Sequence, residues 1–97
     1  MATYITLVNF TDQGIRDVKQ SPQRAQAFRE QAEKAGARVK DVYWTLGSYD
    51  LVVTLDAPNE ETAMALLLAT GSMGNVRTQT LKAFSAEEMK SILAKMP

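Results

Sequence analysis

Histidine and cysteine are both missing from this sequence of 97 residues. Without cysteine there is no disulfide framework and no thiolate chemistry, and most zinc and iron–sulfur sites are excluded with them. Without histidine the chain lacks the side chain that most often serves as general base or metal ligand near neutral pH. An excess of charge of one sign is lacking too, because 11 basic residues balance 11 acidic ones. That balance gives no long-range attraction for nucleic acid or anionic lipid, so neither is expected as a partner. No apolar run reaches the roughly 18 residues that span a bilayer, and the N-terminus enters a strand-like segment with no basic leader. A soluble cytoplasmic protein is the expectation. Gly-rich phosphate loops, nucleophile elbows and metalloprotease helices are absent. Asp12, Asp41, Asp56, Glu60 and Glu61 fall on separate turns without calcium-loop spacing, so no metal and no cofactor is expected.

What is present is globular. Hydrophobic residues make up 45% of the chain, enough for a core, and no composition shift divides it, so residues 1–97 are expected to form a single domain. Tyr4 to Phe10 is rich in β-branched and aromatic residues, apolar on both faces, and suits the middle of a sheet. Thr11 is placed to cap a short helical turn carrying Ile15 and Val18. Ser21-Pro22 then opens an amphipathic helix that ends at Gly36, with Ala25, Phe28, Ala32 and Ala35 on one stripe. Val39–Leu46 and Tyr49–Leu55 read as two strands joined at Gly47-Ser48 by a two-residue hairpin of type II′. A second helix follows from Pro58 to Thr70, and its segment Ala63 to Ala69 (AMALLLA) is apolar all round. Such a helix must bury more than one side, against the C-terminal segment or a second subunit. Val76–Phe84 is a fourth, more polar strand. Ser85 and Glu88 then form a capping box for a last helix with Met89, Ile92 and Leu93 on its inner face.

The order β-α-β, β-α-β, helix predicts an α+β fold of ferredoxin-like βαββαβ topology plus a C-terminal helix. Its sheet is four-stranded and antiparallel, with β1 and β4 expected in the centre. Helices cover one side of that sheet. Tyr49, Leu51, Val53 and Leu55 are assigned to the covered side. Tyr4, Thr6 and Val8 are assigned to the bare one, with either Val76, Thr78 and Thr80 or Arg77, Gln79 and Leu81. A bare face of Val, Thr and aromatic residues is too apolar for water and is best packed against the same face of another copy, giving a barrel-like dimer or a larger homo-oligomer.

Candidate site residues gather near the hairpin. Trp44 as a wall, Tyr49 as a phenolic donor and Asp50 as a base or acceptor would make a pocket mouth for a small-molecule ligand. The same residues also read as strand aromatics and a turn aspartate bonded to local backbone. Arg77 is the natural partner of Asp50, either in a structural or intersubunit ion pair or as an anion-binding group. Asp12 in Thr11-Asp12-Gln13-Gly14 belongs to a ligand loop or to a plain helix cap.

Four blocks occurring in order carry a resemblance over nearly the whole chain, from Tyr4 to about Phe84. They are Asn9-Phe10-Thr11-Asp12-Gln13-Gly14-Ile15-Arg16, Ser21-Pro22 with Arg24, Thr45-Leu46-Gly47-Ser48-Tyr49-Asp50, and Gly74-Asn75-Val76-Arg77-Thr78 with Thr80 and Leu81. Together they resemble the GYD domain family, whose namesake glycine, tyrosine and aspartate correspond to Gly47, Tyr49 and Asp50. The resemblance implies a bacterial or archaeal protein related in fold to the dimeric α+β barrels, and a homo-oligomer, but it implies no reaction. The leading expectation is an oligomeric small-molecule-binding or assembly module with a pocket at the sheet face. The alternative is a cofactor-independent enzyme of oxygenase or isomerase type acting on a small aromatic or carbonyl compound. A third reading is a protein-interaction subunit with no ligand.

Overall fold

The computed structural model describes residues 1–97. Its elements are β1 (Ala2–Phe10), α1 (Asp12–Arg16), a 3-10 turn (Val18–Gln20), α2 (Ser21–Lys34), β2 (Arg38–Trp44), β3 (Leu51–Ala57), α3 (Glu60–Ser72), β4 (Val76–Ala83) and α4 (Ala86–Leu93). The strands form one antiparallel sheet in the order β2-β3-β1-β4. This is the ferredoxin-like arrangement, with one change from the sequence-based expectation: β3, not β4, shares the centre with β1. Each helical crossover skips one strand, which leaves β2 and β4 at the edges. The composition of β4 suits that place, since Arg77, Gln79 and Lys82 are exposed and charged or polar edges discourage stray pairing.

Residues directly opposite one another in an antiparallel pair share a face. Tyr4 stands opposite Leu55, Thr6 opposite Val53 and Val8 opposite Leu51. Tyr4, Thr6 and Val8 therefore lie on the helix-covered side, against expectation, and Val76, Thr78 and Thr80 join them through the β1–β4 register. The core is built there, from Tyr4, Val8, Leu51, Val53 and Leu55 with Val39, Ala32, Ala63 and Leu66. Small residues where helix meets sheet let the layers approach closely. Only 14 residues are buried, and the molecule measures 50 × 31 × 18 Å. A sheet backed by one helix layer gives just one buried interface, so a thin core follows.

Local chemistry sets the element ends. Thr11 caps α1 by accepting from the Gly14 N–H, and Asn59 caps α3 through Thr62. Ser21 is not a cap as anticipated; the 3-10 turn runs straight into α2, and its hydroxyl is free for another role. The β2–β3 connection is longer than a two-residue hairpin. Thr45–Asp50 forms a loop closed by Thr45 N–H to Asp50 O at 2.9 Å, with Gly47 at φ 113° and Leu46 fully exposed. The Asp50 N–H bonds to Val8 O of β1 at 2.8 Å. The Thr11-capped turn forms as expected, with Ile15 and Val18 exposed. One further expectation fails: α4 keeps its capping box but buries none of Met89, Ile92 and Leu93.

Candidate functional site

The blocks that carry the family resemblance converge at one end of the sheet, where β1 and β2 finish and β3 and β4 begin. Thr11 anchors the group: its N–H bonds to Asn75 O at 3.0 Å and its hydroxyl donates to Gly74 O. Gln13 Nε2 donates to Met73 O at 3.1 Å and Asn75 Oδ1 at 3.0 Å. Gly14 lies so close to Asn75 that an added Cβ would sit 1.9 Å from its carbonyl oxygen. Arg24 reaches back from α2 to Gly14 O and Asp17 O at 3.2 and 3.0 Å. Trp44 Nε1 donates to the Ser21 hydroxyl at 2.9 Å, tying β2 to the start of α2. The Asp50 carboxylate accepts from the Phe10 N–H at 2.9 Å, where β1 runs past the end of its pairing with β3.

The five candidate residues do not come together as one pocket. Trp44 is on the helix side and Asp50 is bound to backbone. Tyr49, assigned above to the covered side, lies outside β3 in the connecting loop and swings instead to the bare side of the sheet, donating to Gln79 Oε1 at 3.0 Å. Asp12 sits exposed in the first turn of α1, where a carboxylate favours the helix dipole. Arg77 turns its guanidinium to Val76 O and Gly71 O at 3.1 and 3.5 Å. No Asp50–Arg77 ion pair forms. Strand β1 runs between the two residues, and strands two apart are separated by about 10 Å. The one ion pair in the chain is Lys90–Glu87 on the exposed face of α4. No cluster of three carboxylates is placed to hold a metal ion.

A cavity of about 80 Å³ does exist, but it lies beneath the helices and not on the sheet's bare face. Thr6, Val8, Phe28, Leu51, Leu67 and Val76 are among its walls, and Trp44, Tyr49, Asp50, Arg77 and Asp12 are not. That volume is well below the roughly 300 Å³ at which small-molecule pockets begin. Its buried hydroxyls are also engaged, Thr6 with Thr80 at 2.9 Å.

The bare face offers surface instead. Tyr43, Val52, Leu7 and Gln79 form one row across all four strands, and Asp41, Thr54, Ile5 and Leu81 form the next. Ile5, Leu7 and Val52 make an apolar centre, flanked by Leu81 at 47% and Tyr43 at 64% exposure. Hydrogen-bonded polar pairs edge it: Thr54–Asp41 at 2.9 Å, Thr3–Asp56 at 2.7 Å and Tyr49–Gln79. An apolar centre inside a satisfied polar rim is the anatomy of a protein interface.

A second apolar region lies at the opposite end. An open groove of about 660 Å³ runs between α3 and β4, with Met64 and Leu68 on one wall, Thr80 and Lys82 on the other, and Tyr4, Glu60 and Glu61 at its head. The Tyr4 hydroxyl is buried there without a hydrogen-bond partner. Burial, and then the nearby Glu60 charge, push the phenol above its ordinary pKa. Sequence reasoning missed this groove, although the all-round apolar stretch of α3 was its signal. It also missed the clasp of Thr11, Gln13 and Gly14 onto residues 71–75, for which the spacing of separate blocks offers no local sign.

Fold and surface together define a small ferredoxin-like α+β domain with interface-like faces and no assembled catalytic cluster. The GYD domain model matches residues 4–93, and the chain belongs to that family. It is similar to a Thermus thermophilus protein named glutamine synthetase and cystathionine beta-lyase binding protein, with 32% identity over 90 residues, covering 92% of this chain and 95% of the relative. Among solved structures, one from Thermus thermophilus is 28% identical with a TM-score of 0.57, covering 89% of this chain and 96% of that one. MtbAldR superposes with a TM-score of 0.69 at 15% identity, covering 87% of this chain. A feast or famine regulatory protein from M. tuberculosis, complexed with L-methionine, superposes with a TM-score of 0.67 at 17% identity over 89% of this chain. This chain spans about half of each of those two, 52% in both cases, and their likeness is one of fold.

Proposed function

We propose that this protein is a homo-oligomeric binding and assembly module, in which two sheets pack face to face as a barrel-like dimer and the remaining apolar surface engages a partner protein. The bare sheet face carries this reading. Its row of Leu7 and Val52, continued by Ile5 and Leu81, leaves apolar area in water that pairing of identical faces removes. The name of the Thermus thermophilus relative supports a protein as the further partner. No helix is long and apolar enough to cross a membrane, and we place the module in the cytoplasm with enzymes of the kind that name mentions.

A small-molecule ligand is a second reading, favoured by Tyr49 and Gln79. Both reach over the bare face and would line the space enclosed between two sheets, with Arg77 at its rim. Trp44, Asp50 and Asp12 are assigned to holding the fold. A cofactor-independent enzyme draws less support, because the Tyr49 hydroxyl and one Asp50 carboxylate oxygen are already engaged.

Leu81→Arg tests the sheet pairing. Light scattering at micromolar concentration should show the parent as a dimer or larger, and the variant one association step smaller with an unchanged circular dichroism spectrum. A monomeric parent, or a variant of unaltered mass, would reject the shared sheet. Calorimetric titration with glutamine synthetase, the partner carried in the relative's name, tests the protein-binding half.

A further inference from the structure

The last helix is built to be a helix and buries none of its side chains. Ser85 and Glu88 complete a reciprocal capping box, with Ser85 N–H to Glu88 Oε1 at 2.9 Å and Glu88 N–H to Ser85 Oγ at 3.1 Å. Met89, Ile92 and Leu93 fall on one side at helical spacing, and all are exposed. Helices of eight residues are marginal in water on their own, so this one needs a surface to lie on. The groove between α3 and β4 has the matching lack, with Met64 at 57% and Leu68 at 60% exposure. The lengths agree: eight residues of α4 and the stretch of α3 from Glu61 to Leu68 each rise about 12 Å.

Charge decides whose helix fills the groove. Only Phe84 and Ser85 separate β4 from α4, and β4 ends beside the head of the groove, where Lys82, Glu60 and Glu61 lie. Folded back within its own chain, α4 would run parallel to α3. Glu87 and Glu88 would then meet Glu60 and Glu61, and two helix N-termini would be brought together, both unfavourable. An α4 arriving from outside is free to run antiparallel. Lys95 then approaches Glu60 and Glu61, the helix dipoles oppose, Leu93 meets Met64 and Met89 meets Leu68.

We propose that α4 is an exchanged arm: the C-terminal helix of a second copy lies antiparallel to α3 in the α3–β4 groove, and the exchange is reciprocal about a two-fold axis. This contact is separate from the sheet pairing proposed above, so the chain carries two self-association surfaces and four copies can close on themselves.

The absence of native cysteine makes the test clean. Met64→Cys with Leu93→Cys is placed in one chain on the Leu81→Arg background, which removes the sheet contact. Mild oxidation should link separate chains, seen as a dimer on a non-reducing gel and as mixed-label dimers by mass spectrometry. The same result is expected for Leu68→Cys with Met89→Cys, whereas Met64→Cys with Met89→Cys should link at least tenfold less. A bridge within one chain would overturn the exchange in favour of a folded-back arm. Absence of any bridge in folded protein would overturn it in favour of a foreign partner or a free helix. Failure of the Leu81→Arg dissociation alone leaves the cross-link result readable, because the linked positions are not on the sheet face.

Discussion

The two ends of the sheet solve opposite problems. Where β1 gives way to α1, polar side chains close onto backbone groups: Thr11 onto Gly74, Gln13 onto Met73, Arg24 onto Gly14 and Asp17, Asp50 onto Phe10. Each satisfies a donor or acceptor that the end of a strand or helix leaves without a regular partner. At the other end the Tyr4 hydroxyl is unpartnered, Met64 and Leu68 face solvent, and α4 buries none of its side chains. The difference teaches where to look for partners. The first end pairs its strand-end and helix-end backbone groups within the single chain, although Ile15, Leu46 and Met73 stay exposed there, while the other leaves a buried hydroxyl unpaired beside an open apolar groove. The family's namesake residues belong to the first end, so Asp50 is first of all a structural acceptor.

Substitutions can break this contrast or sharpen it. The reference is the core between the ends, where Leu55 is fully buried. Leu55→Ala should cost about 2–5 kcal/mol, a fall in melting temperature of about 4–8 °C per kcal/mol for a domain of this size. At the first end Gly14→Ala should cost about 1–3 kcal/mol by overpacking against Asn75, with faster hydrogen exchange at residues 11–16 and 71–75. A neutral result in urea denaturation would show the clasp to be dispensable. Asp50→Ala leaves the Phe10 N–H without its partner and should cost about 1 kcal/mol, while Asp50→Asn keeps an acceptor and should cost less. If Asp50→Ala is as stable as the parent, the carboxylate is held there for some other purpose.

The smallest effect belongs to the other end. The Ser85 N–H, followed by the Ser85 hydroxyl in the capping box, holds the Glu88 carboxyl below its ordinary value, with Lys82 and the N-terminal amine adding a little. Its contribution to α4 is therefore present above the ordinary carboxylate range and is lost as pH falls through Glu88's own lowered value. Amide spectra of residues 86–93 should show fraying in that acid window, and earlier loss in Ser85→Ala. An α4 that melts with the whole domain and ignores both changes would mean that packing, not the cap, holds it.

Much of the fold was legible in the residues. Alternation marked the strands, Thr11 and the Ser85–Glu88 box marked helix starts, and the order of elements with the four blocks identified the topology and the family. Three of the misreadings share one cause. Assigning Tyr4, Thr6 and Val8 to the bare face, placing β4 in the centre and pairing Asp50 with Arg77 all required knowing which strand lies beside which, and in what register. Trp44, Tyr49, Asp50, Arg77 and Asp12 are near one another along the sheet's end, but they point to different sides of it.

Sequence alone therefore determined the elements, their order and the lack of histidine or thiol chemistry, because those depend on residue types and on neighbours a few positions apart. Tertiary structure decided the faces, the clasp between Gly14 and Asn75 and the surfaces left bare. A side chain's face in a sheet depends on pairing across the fold, and a one-residue change of register moves every side chain of a strand to the other side.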